Sequence, residues 1–346
     1  MYDILIVGAG LSAATLCAKL KKNHKILVID NRNHLGGNCY DYKSNDIYIH
    51  RYGPHIFHSP NKSIVDFLSQ YTDWMKYKYS VTGEIYYNQK ILRVPFPYCK
   101  ATEQALNKKL SSEEVLELFF KHYSKKMWGK PYHNLPESIK KRVPKDTKDF
   151  PDYFPGQFPG IPKSGYTHMM ENMFDGVEIV LGIDTNDWYK IPAKHIIYCG
   201  RIDHVKYIDS KKTYGDIYGY LPHRSLKISF AQENWDADTT SVNFCHKKTR
   251  FTRKVNHSYF SSPKKYSTIS YETPHQALKL DASPFYPIPF KKNNEKYMKI
   301  KSQLTKDYPN LILCGRLARY QYFDMYQTVG NALSVARQFS SALKNE

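Results

Sequence analysis

The chain has 346 residues, 41% of them hydrophobic, enough to bury a sizeable core in one to three domains. No apolar run approaches the ~20 residues that span a bilayer, and the opening MYDILIVGAG lacks the basic flank and cleavage site of an export signal, so a cytoplasmic protein with no membrane partner is expected. The net charge of +19 favours anionic partners, but the basic residues are spread along the chain without a nucleic-acid-binding motif; nucleic acid is not expected, and a small anionic substrate such as a nucleotide diphosphate would gain from the same field.

Residues 2–7 (YDILIV) read as a buried parallel strand, Gly8-Ala9-Gly10 as a turn, 11–22 as an alanine-rich helix and 25–30 (KILVID) as a second strand. GAGLSA departs from GxGxxG only where Ala13 stands for the third glycine. Gly8 permits the tight turn, Gly10 lets backbone approach a pyrophosphate, and the N-terminus of the helix that follows, with Ser12 in its first turn, offers unpaired N–H groups to phosphate. Asp30 ends the second strand where a carboxylate accepts both ribose hydroxyls, and its charge argues against a 2′-phosphate. NRNHLGGN comes next, with Arg32 to neutralise pyrophosphate, Gly36 and Gly37 permitting close approach, and Asn38 completing the pattern; this second element favours FAD over NAD.

RYGPHIFHS (51–59) follows. Its histidines, His55 and His58 with His50 upstream, admit three readings: metal ligands, cofactor or substrate contacts, or polar residues at a strand end. No acidic or cysteine partner of suitable spacing supports the metal. The six cysteines (Cys17, Cys39, Cys99, Cys199, Cys245, Cys314) are scattered, without CxxC or zinc-like spacing, and read as reduced thiols.

Beyond residue 60, segments 62–70 and 102–127 read as helical with strand-like sequence around 78–94, and Ser111 with Glu114 fits a capping box. Residues 130–165 are rich in proline and glycine and read as loops. A short helix (166–174), a strand (177–181) and HIIYCG (195–200) follow. Period-two alternation over 214–230 and 240–272 predicts antiparallel strands. NLILCG (310–315) is a last buried strand and 325–343 a last helix. A core that opens the chain, is interrupted and resumes at the end is the organisation of FAD-binding folds.

GAGLSA, Asp30, RNHLGGN and HRYGPHIFHS in this order, followed by KKMWG, IKKRVP, DYF, GIPKSGY, HRSLK, FTR, PFYP and GRLARYQYFDM, make the chain similar to the bacterial, flavin-dependent UDP-galactopyranose mutases from residue 1 to about 340. The resemblance implies an α/β fold: a Rossmann-like FAD-binding domain (1–60, 195–235 and 305–346), an inserted helical domain with a mobile loop (61–77 and 98–145), and a six-stranded antiparallel sheet domain (78–97, 146–194 and 236–304). It implies interconversion of UDP-galactopyranose and UDP-galactofuranose by reduced FAD, through a bond between flavin N5 and sugar C1. An external reductant, NAD(P)H or a reductase, would keep the flavin reduced.

The same resemblance assigns residues. His55 and Ile56 would contact FAD, with Arg224, Arg316 and the segment Phe323, Asp324, Met325 to Thr328 completing that site. His58 would sit beside the flavin ring where the sugar arrives. Arg142 and Arg253 match the pair that binds the diphosphate, a task suited to a permanently charged, bidentate group. Tyr153, Tyr286 and Tyr322 match hydroxyls that reach the phosphates. Trp128 and Phe154 match aromatic rings beside the uracil, and Tyr123, Ser124 and Asn243 further substrate contacts. No metal is implied.

Several positions depart from the family pattern. The helical domain is about thirty residues short between Phe96 and Trp128, which bears on the homodimer that this domain makes in bacterial enzymes. Val81 stands where a polar contact is expected, Arg319 stands for an acid, GYLPHRS differs before Arg224, and Lys145 and Lys148 stand in the loop where another arginine is usual. These changes touch the sugar and the base. The alternatives are therefore a mutase of the same mechanism acting on a UDP-N-acetylhexosamine, dTDP- or GDP-sugar, an amine-oxidase-like flavin oxidoreductase, which needs no phosphate-binding arginines, or a non-catalytic nucleotide-sugar binder.

Overall fold

A computed structural model describes residues 1–140, 151, 153–208, 210–261, 266–277 and 284–342. Its centre is a five-stranded parallel sheet in the order Glu178–Val180, Ile26–Ile29, Tyr2–Val7, Ala193–Tyr198, Leu311–Leu313. The period of two in the first strand explains why it is buried on both sides. Ile4 and Ile6 join one core cluster while Leu5 and Val7 join another. On the first side lie the helices Leu11–Leu20, Gly165–Phe174 and Met325–Ala342, whose small residues Ala13, Ala14, Ala332 and Ala336 let backbones approach closely. The second side is covered by Lys291–Asp307 through Ile300 and Leu304.

A seven-stranded sheet carries the other half of the molecule, in the order Tyr286–Pro287, His223–Asn234, Tyr266–Ala277, Arg253–Asn256, Ser241–Phe244, Val81–Tyr87, Lys90–Phe96. Six antiparallel strands were expected. The observed sheet has one more, and Ser241–Phe244 lies parallel to Val81–Tyr87. Parallel neighbours need a long crossover, and the chain between these two strands includes Glu178–Val180 and Ala193–Tyr198 of the parallel sheet.

Helix Lys100–Leu106 packs on the edge strand Lys90–Phe96 and helix His122–Trp128 on the interior strand Tyr266–Ala277, with Ser112–Val115 between them in the chain; Asn107 in the left-handed region and a π-helical stretch Leu116–Lys121 break what reads in sequence as one helix. The capping box forms: Ser111 Oγ accepts from Glu114 N at 3.2 Å and Glu114 Oε2 from Ser111 N at 2.8 Å. Close packing depends on Gly83, where an added Cβ would stand 3.1 Å from the Phe119 ring.

Some stretches lie elsewhere than the expected division puts them. Glu178–Val180, assigned above to the antiparallel unit, is the edge strand of the parallel sheet. Lys291–Asp307, assigned there up to residue 304, is a helix on that sheet. Its lysine-rich sequence buries only a narrow stripe, which hides its partner from a reading of periodicity. The strand His223–Asn234, assigned to the FAD domain up to 235, belongs to the seven-stranded sheet.

Candidate functional site

At the C-terminal ends of the parallel strands the two glycine loops meet backbone to backbone. Gly37 has φ +56°, and a Cβ there would stand 3.0 Å from Gly10 Cα. Gly8, at φ +110°, turns the chain while its N–H bonds to Ile29 O at 2.7 Å. Asp30 ties the loops together by accepting from Ala9 N at 2.7 Å and Arg32 N at 2.8 Å. Arg32 lies 4.4 Å over the Tyr52 ring and donates to Asn38 Oδ1, whose amide reaches Pro284 O. Gly315 is required beside Ser12, since a Cβ would come within 2.6 Å of its hydroxyl.

These groups line a cleft of about 510 Å³ at the strand ends where dinucleotides bind in such sheets. A larger hollow of about 790 Å³, beside Tyr189, Lys206 and Tyr308, lies at the opposite ends of the strands, away from the glycine loops. Of the residues expected to hold cofactor, all except Ile56, Arg224, Phe323 and Asp324 line the cleft. Ile56 is buried in the core. Arg224 instead donates to Met127 O at 2.7 Å and Lys126 O at 3.0 Å, capping the helix His122–Trp128. Phe323 accepts from Arg316 through its carbonyl, and the Asp324 carbonyl accepts from Thr328 at the start of the last helix.

The histidines of the GPHIFH stretch divide into two kinds. His55 lines the cleft; its Nδ1 bonds to Gly53 O and its N–H donates to His50 Nδ1. His50 N in turn donates to His257 Nδ1, and His257 Nε2 bonds to Ser270 Oγ. Burial holds this chain neutral, lowering His55 to about 4 and His257 to about 3. His58 points the other way. Its Nδ1 lies 2.7 Å from Gln157 Oε1 and its ring stacks on Phe154 at 3.9 Å.

Beyond Phe154, whose ring also stacks with Tyr79 at 6.1 Å, the seven-stranded sheet presents Arg253. Glu272 stands opposite it in register and accepts from Arg253 Nε at 3.1 Å and Nη2 at 2.8 Å. Tyr79 Oη lies 3.3 Å from Nη1. Burial opposes the charge of Arg253, but Glu272, Tyr79 and Tyr123 outweigh it and keep the guanidinium protonated. The edge shared by Nη1 and Nη2 is not used by Glu272, and it is the edge that can take an oxyanion. Asn243, directly across from Arg253, has a buried Oδ1 without a partner.

The helix His122–Trp128 closes the site. It presents Tyr123, Ser124 and Trp128, and the Trp128 ring sits 6.2 Å from that of Tyr286 and 5.8 Å from that of Tyr322. Arg316 lies 5.8 Å and 5.6 Å from the same two tyrosine rings, so this cluster links the cleft to the helix. Tyr153 packs edge-on to Tyr79 at 5.1 Å. Burial raises the hydroxyls of Tyr123, Tyr153 and Tyr286 above the ordinary tyrosine range, so they remain donors. Arg142, Lys145 and Lys148 lie outside the described residues.

The sequence matches the UDP-galactopyranose mutase family over residues 118–322 and an NAD(P)-binding Rossmann-like domain over 6–71. The chain belongs to the UDP-galactopyranose mutase family. It is 30% identical to the UDP-galactopyranose mutase of Mycoplasma genitalium, over 98% of this chain and 95% of that one. It is 29% identical to the dTDP-fucopyranose mutase of Escherichia coli, over 98% of each. In fold it superposes on a crystal structure of reduced UDP-galactopyranose mutase with a TM-score of 0.71 at 13% identity, covering 99% of this chain and 96% of that one. A putrescine oxidase variant shares the fold at a TM-score of 0.63 and 11% identity, over 98% and 99% of the two chains. With the family, the chain is an enzyme of the isomerase class.

Some site residues in this mutase were not singled out from sequence. Glu272, Tyr79 and Gln157 touch Arg253 or His58, and Lys126 holds the loop that leads to Arg253. Opposite charges facing each other on neighbouring strands would have signalled Glu272, but only once the register was known.

Proposed function

We propose that this chain is a flavin-dependent nucleotide-sugar mutase that binds FAD in the cleft and interconverts UDP-galactopyranose and UDP-galactofuranose in the cytoplasm. The observation that carries this reading is Arg253, pinned by Glu272 and Tyr79, with the unpartnered Asn243 Oδ1 on the residue opposite it in register. A buried acceptor without a partner is costly, and a sugar hydroxyl would relieve it. The cleft fits the cofactor: the Gly10–Gly37 approach leaves backbone where a pyrophosphate would lie, and Asp30 and Arg32 flank it.

When bound and reduced, the flavin supplies the nucleophile for the anomeric carbon. The chain's residues do the rest. Arg253, with Arg142, stabilises the diphosphate as it leaves and returns. Tyr153, Tyr286 and Tyr322 donate to phosphate oxygens, Trp128 offers a flat face to the base, and Ser124 and Asn243 orient the sugar nucleotide. His58, fixed by Gln157 and Phe154, lies where the sugar meets the cofactor. NAD(P)H or a reductase keeps the flavin reduced.

A second reading keeps the chemistry and changes the substrate to a dTDP-linked sugar. Val81, apolar and buried beside Ser241 on the substrate sheet, favours it, as does the comparable likeness to the dTDP-fucopyranose mutase. The experiment is anaerobic turnover with dithionite-reduced protein, followed by chromatography, on UDP-galactofuranose and dTDP-fucofuranose. Conversion of the first only with reduced flavin supports the main reading, and conversion of the second alone supports the other. Flavin-loaded protein that converts neither sinks both.

A further inference from the structure

One lysine of the KKMWG stretch has no part in the chemistry proposed above, yet it sits at the centre of a closed arrangement. Lys126 Nζ donates its three N–H groups among four backbone carbonyls of one loop: Phe244 at 2.7 Å, His246 at 3.0 Å and Phe251 at 2.6 Å, with the longer contact to Thr249 at 3.4 Å sharing a proton. That loop joins the strands Ser241–Phe244 and Arg253–Asn256, which hold Asn243 and Arg253 face to face. Carbonyl oxygens that converge carry like partial charges and stay together only around a cation. The lysine stands on the same helix as Tyr123, Ser124 and Trp128, so the ammonium joins the wall that bears the aromatic base contact to the loop that sets the arginine.

We propose that Lys126 is a positioning residue of the substrate site: its ammonium, crowned by the 244–251 carbonyls, holds Arg253 and Asn243 in register with Trp128. This rests on the nucleotide-sugar reading of the site. Lysine suits the task better than arginine because a compact, rotatable ammonium can serve several carbonyls at once. The surroundings make the grip dependent on pH. Burial lowers Lys126 to about 8, while Cys245 on the loop and Glu84 on the neighbouring strand pull it back up. His246 faces Glu84 and bonds to it at 3.0 Å, His122 lies one turn earlier on the helix, and Arg224 reaches only the Lys126 carbonyl. A proton lost from the ammonium loosens the crown, so substrate affinity falls as pH rises through about 8.

The test is titration of the flavin-loaded protein with UDP and with dTDP, read by tryptophan fluorescence on both sides of pH 8, for wild type, Lys126→Met and Lys126→Arg. Methionine keeps the length and removes the charge. We expect nucleotide affinity about ten-fold weaker in the methionine variant, from the loss of charge-assisted hydrogen bonds, with flavin content unchanged. Its affinity should also be flat across the interval where wild type declines. The arginine variant should keep most of the affinity and lose the decline, since its charge is permanent. A methionine variant that binds as wild type does, with the same alkaline decline, overturns the proposal. Should that variant fail to fold, the arginine variant decides, and persistence of the decline in it is equally fatal. Flavin-loaded wild type that binds neither nucleotide overturns the functional reading itself, and the proposal with it.

Discussion

Glu272 holds Arg253 by the Nε and Nη2 edge of its guanidinium, at 3.1 Å and 2.8 Å, and the carboxylate is all but fully buried. A long, flexible side chain is thereby fixed before any ligand arrives. Arg253→Ala should abolish turnover while leaving the flavin bound, because the cleft does not depend on it. It should also destabilise the fold by about 3–5 kcal/mol, since Glu272 is left as an unpaired buried charge. Turnover assays and the flavin absorbance spectrum check this together. A variant that turned over normally would place the diphosphate elsewhere.

Glu272→Ala separates pinning from charge. Arg253 remains, but its orientation becomes one of many, so nucleotide affinity should fall by about 2 kcal/mol or more while flavin content holds. Calorimetric titration with UDP measures it. Unchanged affinity would mean that the ion pair serves the sheet alone.

The cofactor half of the site was largely legible in sequence because its chemistry is local. Gly8, Gly10 and Gly37 are needed for backbone reasons, and Asp30 sits one strand away at a fixed offset. The proposed substrate half was read only through resemblance, because its residues meet by sheet register. Arg253 and Glu272 are 19 residues apart in sequence, and nothing local says that they face each other. At Arg224 motif and geometry differ: its motif points to the cofactor, and its guanidinium bonds to the carbonyls at the end of a helix. Strand Glu178–Val180 and helix Lys291–Asp307 were misplaced because short edge strands and narrow apolar stripes carry little periodic signal.

Gly37→Ala tests the glycine contact. The added Cβ would stand 3.0 Å from Gly10 Cα, with backbone on both sides and no flexible side chain to yield. The loops must part, and the cleft changes shape where the pyrophosphate is expected. FAD affinity should drop at least about ten-fold, seen as a largely colourless purified protein, with far-ultraviolet circular dichroism unchanged.

Acid should unfold the protein earlier than its carboxylates alone would require. His50, His223 and His257 are buried and His55 is half-buried, and desolvation holds all four neutral, lowering His55 to about 4 and His223 and His257 to about 3. In the unfolded chain each takes up a proton near pH ~6.5. The stability they contribute is therefore complete above that pH and lost as pH falls from there through the folded values. Melting temperature should decline steeply over this window, with flavin released in step because His55 lines the cleft. A melting temperature constant from neutrality to about pH 4 would contradict this burial.

Arg224 gives the sharpest separation between motif and geometry. Its guanidinium satisfies the carbonyls of Lys126 and Met127 at the C-terminal end of the helix that presents Trp128. Those carbonyls have no partner within the helix, and a cation there also complements the helix dipole. Arg224→Met should therefore leave flavin affinity unchanged and weaken UDP binding by about 1–2 kcal/mol, as the last turn frays and the Trp128 ring loses its fixed position. Were Arg224 a cofactor ligand, the order of the two effects would reverse. Parallel titration of the apoprotein with FAD and of the loaded protein with UDP distinguishes the outcomes, and loss of FAD binding alone would return Arg224 to the cofactor.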